Sequence, residues 1–194
     1  MSPTEVVPTS VEELLELYAL HGALRYGEDV TQNQHALQCA ALARRDGASD
    51  ELVAAALLHD VGHLIAGPHG PRWRDDVDDD RHEALGAKAL AVVLGSGVAA
   101  PVALHVTAKR WRCAVEPGYH DALSSTSRAT LVAQGGPLDE ASRARFEAHP
   151  AFHHAVALRA WDDGAKDPFA EPGTMRDYEP LLARIARWFG SRDD

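Results

Sequence analysis

His59 and Asp60 stand side by side at the end of an apolar run, Ala54-Ala55-Ala56-Leu57-Leu58, and His63 follows one helical turn after His59. Neighbouring residues of a helix diverge by about 100°, so an imidazole beside a carboxylate seldom serves packing alone. As a nitrogen and an oxygen donor, the pair suits a hard or borderline metal ion. His35, His82 and His105 fall at or near the ends of other helical segments, and Asp162 follows a later one. A helical bundle can gather such donors from facing helices at one centre. The set contains no thiolate, so Fe, Mn, Mg, Zn or Co fits it better than copper(I) or an iron–sulfur cluster. The residues leave the choice among those ions open.

The segments that must carry these groups read as helices. Ser10 precedes an acidic turn and the stripe Leu14, Leu15, Leu17, Tyr18, Leu20, which ends near Gly22. Gln34 through Arg45 is rich in Ala and Leu, with His35 in its first turn. Glu51 to His59 is apolar on nearly all sides, the mark of a buried central helix. His82 to Leu94 and Pro101 to Cys113 give two more helices, the second opened by a proline in a tolerated first-turn place. His105 and Lys109, four apart, share one face of it. Thr126 or Ser127 caps a short helix toward Ala133, and Leu138-Asp139-Glu140 opens another through Ala148. Ala151 to Ala160 leads into Trp161-Asp162-Asp163-Gly164, and Asp177 to Phe189 forms a last amphipathic helix. The stretch from Gly67 to Asp80, with its acidic run, reads as a surface loop. No stretch alternates as a strand. The expectation is an all-α bundle forming one domain over 1–194, with a metal-binding core about 28–165 and flanking terminal helices.

Hydrophobic residues make up 45% of the 194 and charged residues 25%, as in an ordinary globular protein. A net charge of -10 argues against a broad basic surface for nucleic acid or anionic membrane. Cys39 and Cys113 are the only cysteines and form no CxxC or CxxH pattern, which excludes a disulfide framework. Met1 to Val11 lacks a signal-like pattern, and no apolar run approaches the roughly 18 residues of a membrane span. A cytoplasmic monomer or homodimer is expected.

The order His35, His59-Asp60, Asp162 resembles the H...HD...D pattern of the HD-domain superfamily, all-α metal proteins that are mostly phosphohydrolases. A finer resemblance covers nearly the whole chain. Gly27-Glu28, Gln32, His35-Ala36-Leu37-Gln38-Cys39-Ala40, Ala55-Ala56-Leu57-Leu58-His59-Asp60, Gly62-His63, His82-Glu83, His105, Ala108-Lys109-Arg110, Ser127-Arg128, Gln134-Gly135-Gly136-Pro137 and Arg159-Ala160-Trp161-Asp162 are similar to the HD-domain oxygenases that cleave organophosphonates. The type enzymes act on 2-amino-1-hydroxyethylphosphonate and on its N-trimethylated relative, and are mechanistic cousins of myo-inositol oxygenase.

That resemblance implies two irons per chain, an Fe(II)/Fe(III) pair, with O2 as co-substrate. One iron falls to His35, His59 and Asp162, the other to His82 and His105, with Asp60 bridging. The implied reaction breaks the C–P bond of a small α-hydroxyphosphonate and releases phosphate and a carboxylate such as glycine. Catalytic roles fall to Asp60, His63 and Lys109. Lys109 offsets phosphonate charge, and His63 donates to substrate or oxygen or orients the centre. Ser127 and Arg159 match positions that contact the phosphonate, Gln134 lines the pocket or braces its turn, and Glu28 holds a cationic amine end. The family's tyrosine lid stands three positions before that glutamate; here Arg25 occupies the place and Tyr26 follows, which puts the lid in question. Trp73 and Trp111 read as packing or loop anchors rather than a cage for a quaternary ammonium. His21, His69, His120, His149, His153 and His154 are surface or structural in this scheme.

The alternative is a metal-dependent HD phosphohydrolase acting on a nucleotide or other phosphate ester, its metal generating a hydroxide nucleophile. His82, His105 and Lys109 separate the two, because a mononuclear phosphohydrolase needs only His35, His59, Asp60 and Asp162. A metal-stabilised regulatory domain is a third reading, and the presumed convergence of Lys109, Arg159, Ser127 and His63 on one anion pocket stands against it.

Overall fold

The buried run of the third helix organises the chain. The computed structural model describes residues 7–25, 29–66 and 81–190. Tyr26, Glu28, Trp73, His69 and the acidic run therefore lie outside the described residues. Those described are helical throughout apart from turns and an isolated bridge between Arg25 and Thr31, as the all-α expectation holds.

Helix α1 (Val11–His21) is capped by Ser10 and buries Leu14 and Tyr18. The Tyr18 hydroxyl donates to the Leu57 carbonyl at 3.1 Å, tying α1 to the end of the central helix. Helix α2 (Gln32–Arg45) starts at a capping box in which the Thr31 and Gln34 side chains each accept from the other's backbone N–H. That start fixes the turn carrying His35. Helix α3 (Asp50–Leu58) is buried from Leu52 to Leu58, and α4 (Val61–Ala66) follows after two residues.

The break between α3 and α4 differs from the expected helix through His59. The sequence pattern gave no sign of α4. The break matters for chemistry: in a continuous helix His59 and Asp60 would diverge, whereas at this junction the His59 Nε2 and an Asp60 oxygen lie 3.5 Å apart.

Helix α5 (His82–Val93) packs against α4 and against α6 (Ser96–Val115). Helix α6 starts five residues earlier than expected, so Pro101 sits inside it rather than in its first turn. Its missing N–H forfeits a bond to Gly97, a local cost that a 20-residue helix absorbs through its packing. Gly62 and Gly86 let α4 and α5 touch: a Cβ on Gly62 would collide with the His82 carbonyl, and one on Gly86 would stand 3.1 Å from the Gly62 nitrogen. The contact sets His82 against His63.

Helix α7 (Tyr119–Ala122), too short for periodicity to reveal, precedes α8 (Ser125–Ala133). Ser124, not Thr126 or Ser127, caps α8, its side chain accepting from the Ser127 N–H. Helices α9 (Glu140–Glu147) and α10 (Phe152–Gly164) follow, α10 crossing α6 and α2 and carrying Asp162 inside its last turn. A 3₁₀ turn, Met175–Tyr178, leads into α11 (Glu179–Gly190), where one continuous helix was expected. Among the described residues no helix is long and apolar enough to cross a membrane.

Candidate metal centre

Four imidazoles from four elements meet at the centre of the bundle, and their outer nitrogens decide what the inner ones can do. The Nδ1 of His35 lies 2.9 Å from the Ala165 carbonyl, that of His59 3.0 Å from Ala56, and that of His105 2.8 Å from Val102. A carbonyl only accepts, so each Nδ1 carries the hydrogen and donates it. The His82 Nδ1 faces the Glu83 carboxylate at 3.6 Å. With Nδ1 protonated, a neutral ring turns the lone pair of Nε2 inward.

The inner nitrogens then confront each other. His35 and His59 approach Nε2 to Nε2 at 3.2 Å, and His82 and His105 do the same at 3.2 Å. Two lone pairs at that distance repel unless a proton or a cation lies between them. Asp60 stands between the pairs. Its Oδ1 is 3.5 Å from His82, 3.9 Å from His105 and 3.5 Å from His59, and its Oδ2 is 3.9 Å from His35. The Asp162 Oδ1 is 3.3 Å from His35 and 3.9 Å from His59. Asp60, His82 and His105 offer donor atoms that fall within 4.8 Å of one another, as do His35, His59 and the buried Cys39. The donor set of this structure fits cations on both sides of Asp60.

The electrostatics differ between the sides. Burial opposes charge on Asp60, but His59, His63, His82 and His35 hold its carboxyl far below the usual range. Burial likewise opposes the Asp162 carboxylate, and Arg159 with His35 and His59 keeps it ionised. Burial, His82 and His59 push His105 well below an ordinary histidine, so it stays neutral and ready to ligate. Burial would lower His35 too, yet Cys39 and Asp162 raise it well above its ordinary value. Without a cation, His35 shares a proton with Asp162; a metal there must displace it.

Around the donors, each expected residue that is described can be placed. His63 is 2% exposed and stacks on His82 with ring centroids 3.8 Å apart, its Nε2 3.8 Å from Asp60. A cavity of about 60 Å³ opens beside the donors; Lys109, Ser127, Gln134 and Arg159 line it together with His35, Asp60, His82, His105 and Asp162. The Lys109 ammonium, 3% exposed, donates to the Thr130 hydroxyl at 2.9 Å. Trp111 instead packs on Phe146 and Phe152 and donates to Glu147. Among the described residues no Phe, Tyr or Trp side chain lines the cavity. His120, His149, His153 and His154 are exposed, and His21 is half-buried.

Arg159 shows a geometry that the sequence reading did not contain. Its Nε donates to the Tyr119 hydroxyl at 3.0 Å, its Nη1 to the Asp162 Oδ2 at 2.7 Å, and its Nη2 to Asp163. Tyr119 in turn donates to Asp163 at 2.5 Å, and Arg112, stacked on the Tyr119 ring, bonds the same carboxylate at 3.0 Å. The network leaves the Asp162 Oδ1 turned toward His35 and His59. Arg159 lies three residues before Asp162 and four before Asp163, one helical face, and that spacing was the available signal for the pairing. Lys166, which also lines the cavity, and Tyr119 carried no such signal.

No family model matches the chain. A hydroxymethylphosphonate dioxygenase of Gimesia maris is 45% identical over 168 residues, spanning 87% of this chain and 84% of the relative. A 1-hydroxy-2-(trimethylamino)ethylphosphonate dioxygenase (glycine-betaine-forming) of Leisingera caerulea is 36% identical over 159 residues, spanning 82% and 81%.

Proposed function

The chain belongs to the HD-domain oxygenases that act on organophosphonates, and from that premise we propose a dinuclear iron oxygenase that cleaves the C–P bond of hydroxymethylphosphonate or a similarly small α-hydroxyphosphonate. The observation that carries the reading is the arrangement of inward ring nitrogens: two facing imidazole pairs, each with Nε2 atoms at 3.2 Å, on either side of Asp60. A mononuclear hydrolase has no use for the second pair.

In this reading His35, His59 and Asp162 would hold one iron and His82 and His105 the other, with Asp60 available to both. An Fe(II)/Fe(III) pair would supply the binding and activation of O2. The protein's own groups do the rest. Three backbone carbonyls lock the imidazole tautomers, which orients ligands before any metal arrives. His63 steadies His82 from behind through the ring stack. Lys109, one turn beyond His105, meets the phosphonate charge, and Ser127 and Gln134 complete that wall of the cavity. Arg159 adds positive potential from behind Asp162. Tyr26 and Glu28 are assigned the far end of the substrate on resemblance alone.

The overall chemistry balances as hydroxymethylphosphonate dianion plus O2 giving formate, hydrogen phosphate and one proton. The C–P bond breaks, the carbon is oxidised to the carboxylate level, and dioxygen is reduced. The greater identity to a hydroxymethylphosphonate dioxygenase, 45% against 36% for the trimethylamino relative, favours the unsubstituted substrate. The test is phosphate release by iron-loaded protein from these three phosphonates, in air and under nitrogen. Release only in air, fastest from hydroxymethylphosphonate, supports the proposal; equal release under nitrogen refutes it.

A further inference from the structure

The proposed reaction gives no task to Cys39, although its thiol lies among the donors of the His35 side. Cys39 follows His35 by four residues on α2 and is buried. Residues four apart share a helix face, so the turn of α2 that aims His35 at the centre aims Cys39 there too. Its Sγ is 3.9 Å from the His35 Nε2, and that nitrogen is 3.2 Å from the His59 Nε2. The three donor atoms all lie within 4.8 Å of one another.

Those separations suit one ion of a particular kind. Zinc binds thiolate sulfur at about 2.3 Å and imidazole nitrogen at about 2.0–2.1 Å. Around a tetrahedral ion, such lengths put two nitrogens about 3.3 Å apart and a sulfur and a nitrogen about 3.6 Å apart. The Nε2 pair at 3.2 Å and the Sγ to Nε2 distance of 3.9 Å stand close to both values. The Ala165 and Ala56 carbonyls hold the Nδ1 hydrogens of His35 and His59, so both rings meet a cation through Nε2. A thiolate selects softer ions than a carboxylate does, and a mixed N, O and S donor set binds zinc more tightly than ferrous iron.

We infer that Cys39, His35 and His59 form a binding site for thiophilic divalent cations, zinc or cadmium, which overlaps the first iron position and excludes iron from it when filled. Binding exchanges the S–H bond for a metal–sulfur bond and releases the proton to solvent, with no change of oxidation state. Iron and a thiophilic ion thus draw on the same two imidazoles with a different third donor, Asp162 for iron and Cys39 for zinc. The site stands on the geometry of these three residues; only its consequence for turnover rests on the proposed function.

The experiment titrates metal-free protein with cadmium under nitrogen and follows the ultraviolet thiolate-to-metal charge-transfer absorption, with zinc affinity measured by competition against a chelator. Wild-type protein is expected to give the band, and so is Cys113→Ala, which removes the only other cysteine. Cys39→Ala and Cys39→Ser should lose it. Their zinc affinity should fall by about a hundredfold, the upper end of what loss of even an outer partner costs a metal site, while iron affinity stays nearly unchanged. In turnover, zinc supplied before iron should block phosphate release by wild-type protein, and about a hundredfold more zinc should be needed to block Cys39→Ala. The inference is overturned if wild-type protein gives no band, if the band survives in Cys39→Ala or vanishes in Cys113→Ala, or if zinc and iron weaken alike. Should neither Cys39 variant fold, Cys113→Ala alone decides, since Cys39 is then the sole thiol. Protein that gives the band yet cleaves no hydroxyphosphonate in air sinks the proposed function and leaves the site standing.

Discussion

The two sides of the metal centre are built differently. The His35, His59, Asp162 side has a carboxylate of its own, a neighbouring thiol and an arginine network behind it. The His82, His105 side has no carboxylate donor of its own, shares Asp60, and is braced by a stacked ring, with the Glu83 carboxylate 3.6 Å from the His82 Nδ1. With Asp60 counted for both, the first side offers four protein donors and the second three. A side with fewer protein donors keeps more positions open, and it is the side that Lys109 adjoins. On the proposed function, the contrast would separate a position held by the protein from a position left to substrate.

Removing ligands should break the contrast most severely. His105→Ala is expected to retain one iron per chain by metal analysis and to lose oxygenase activity to background; two-metal occupancy in that variant would refute the ligand role of His105. A smaller but sharper effect comes from the network behind Asp162. Tyr119→Phe and Asp163→Asn should weaken iron at the first side by about 10–100-fold, the usual cost of losing a partner that orients a ligand, while leaving the second side unaltered in a two-step titration.

Proton competition distinguishes the sides as well. The pKa of His35 is raised, so in the metal-free protein at neutral pH it is protonated and the proton must leave when a cation binds. Affinity at that side should therefore fall as pH drops, by about tenfold per unit for a single displaced proton. The pKa of His105 is depressed, so it is neutral already and the second side should show a flatter dependence across the same range. Metal titrations at pH 6, 7 and 8 measure both slopes, and parallel slopes would contradict the assignment. The smallest effect expected is steric. Gly86→Ala pushes α5 against the Gly62 backbone and should cost about 1–3 kcal/mol in urea unfolding, with the greater disturbance of metal binding on the His82 side.

The donors were legible in the sequence because they combine unusual chemistry with regular placement: His59-Asp60 on an apolar run, His105 and Lys109 on one face. What the periodic pattern could not show was the break at His59, since the helical register resumes in α4 and the sequence there stays apolar. Pro101 misplaced the start of α6 because a proline at the sixth helical position imitates one at the first. Tyr119, Ser124 and Lys166 escaped notice for another reason. They sit on a four-residue helix, a cap and the loop after α10, and only long-range bonds tie them to the site, Tyr119 to Arg159 and Asp163 and Ser124 to Lys166.

The central claim is that two irons, one on each side of Asp60, are needed for the reaction. The most direct measurement is oxygen-dependent phosphate release from hydroxymethylphosphonate as iron is added stepwise to metal-free protein. Activity that stays near background through the first equivalent and rises across the second is the predicted result. Full activity at one iron per chain, or phosphate release under nitrogen without iron, would contradict it.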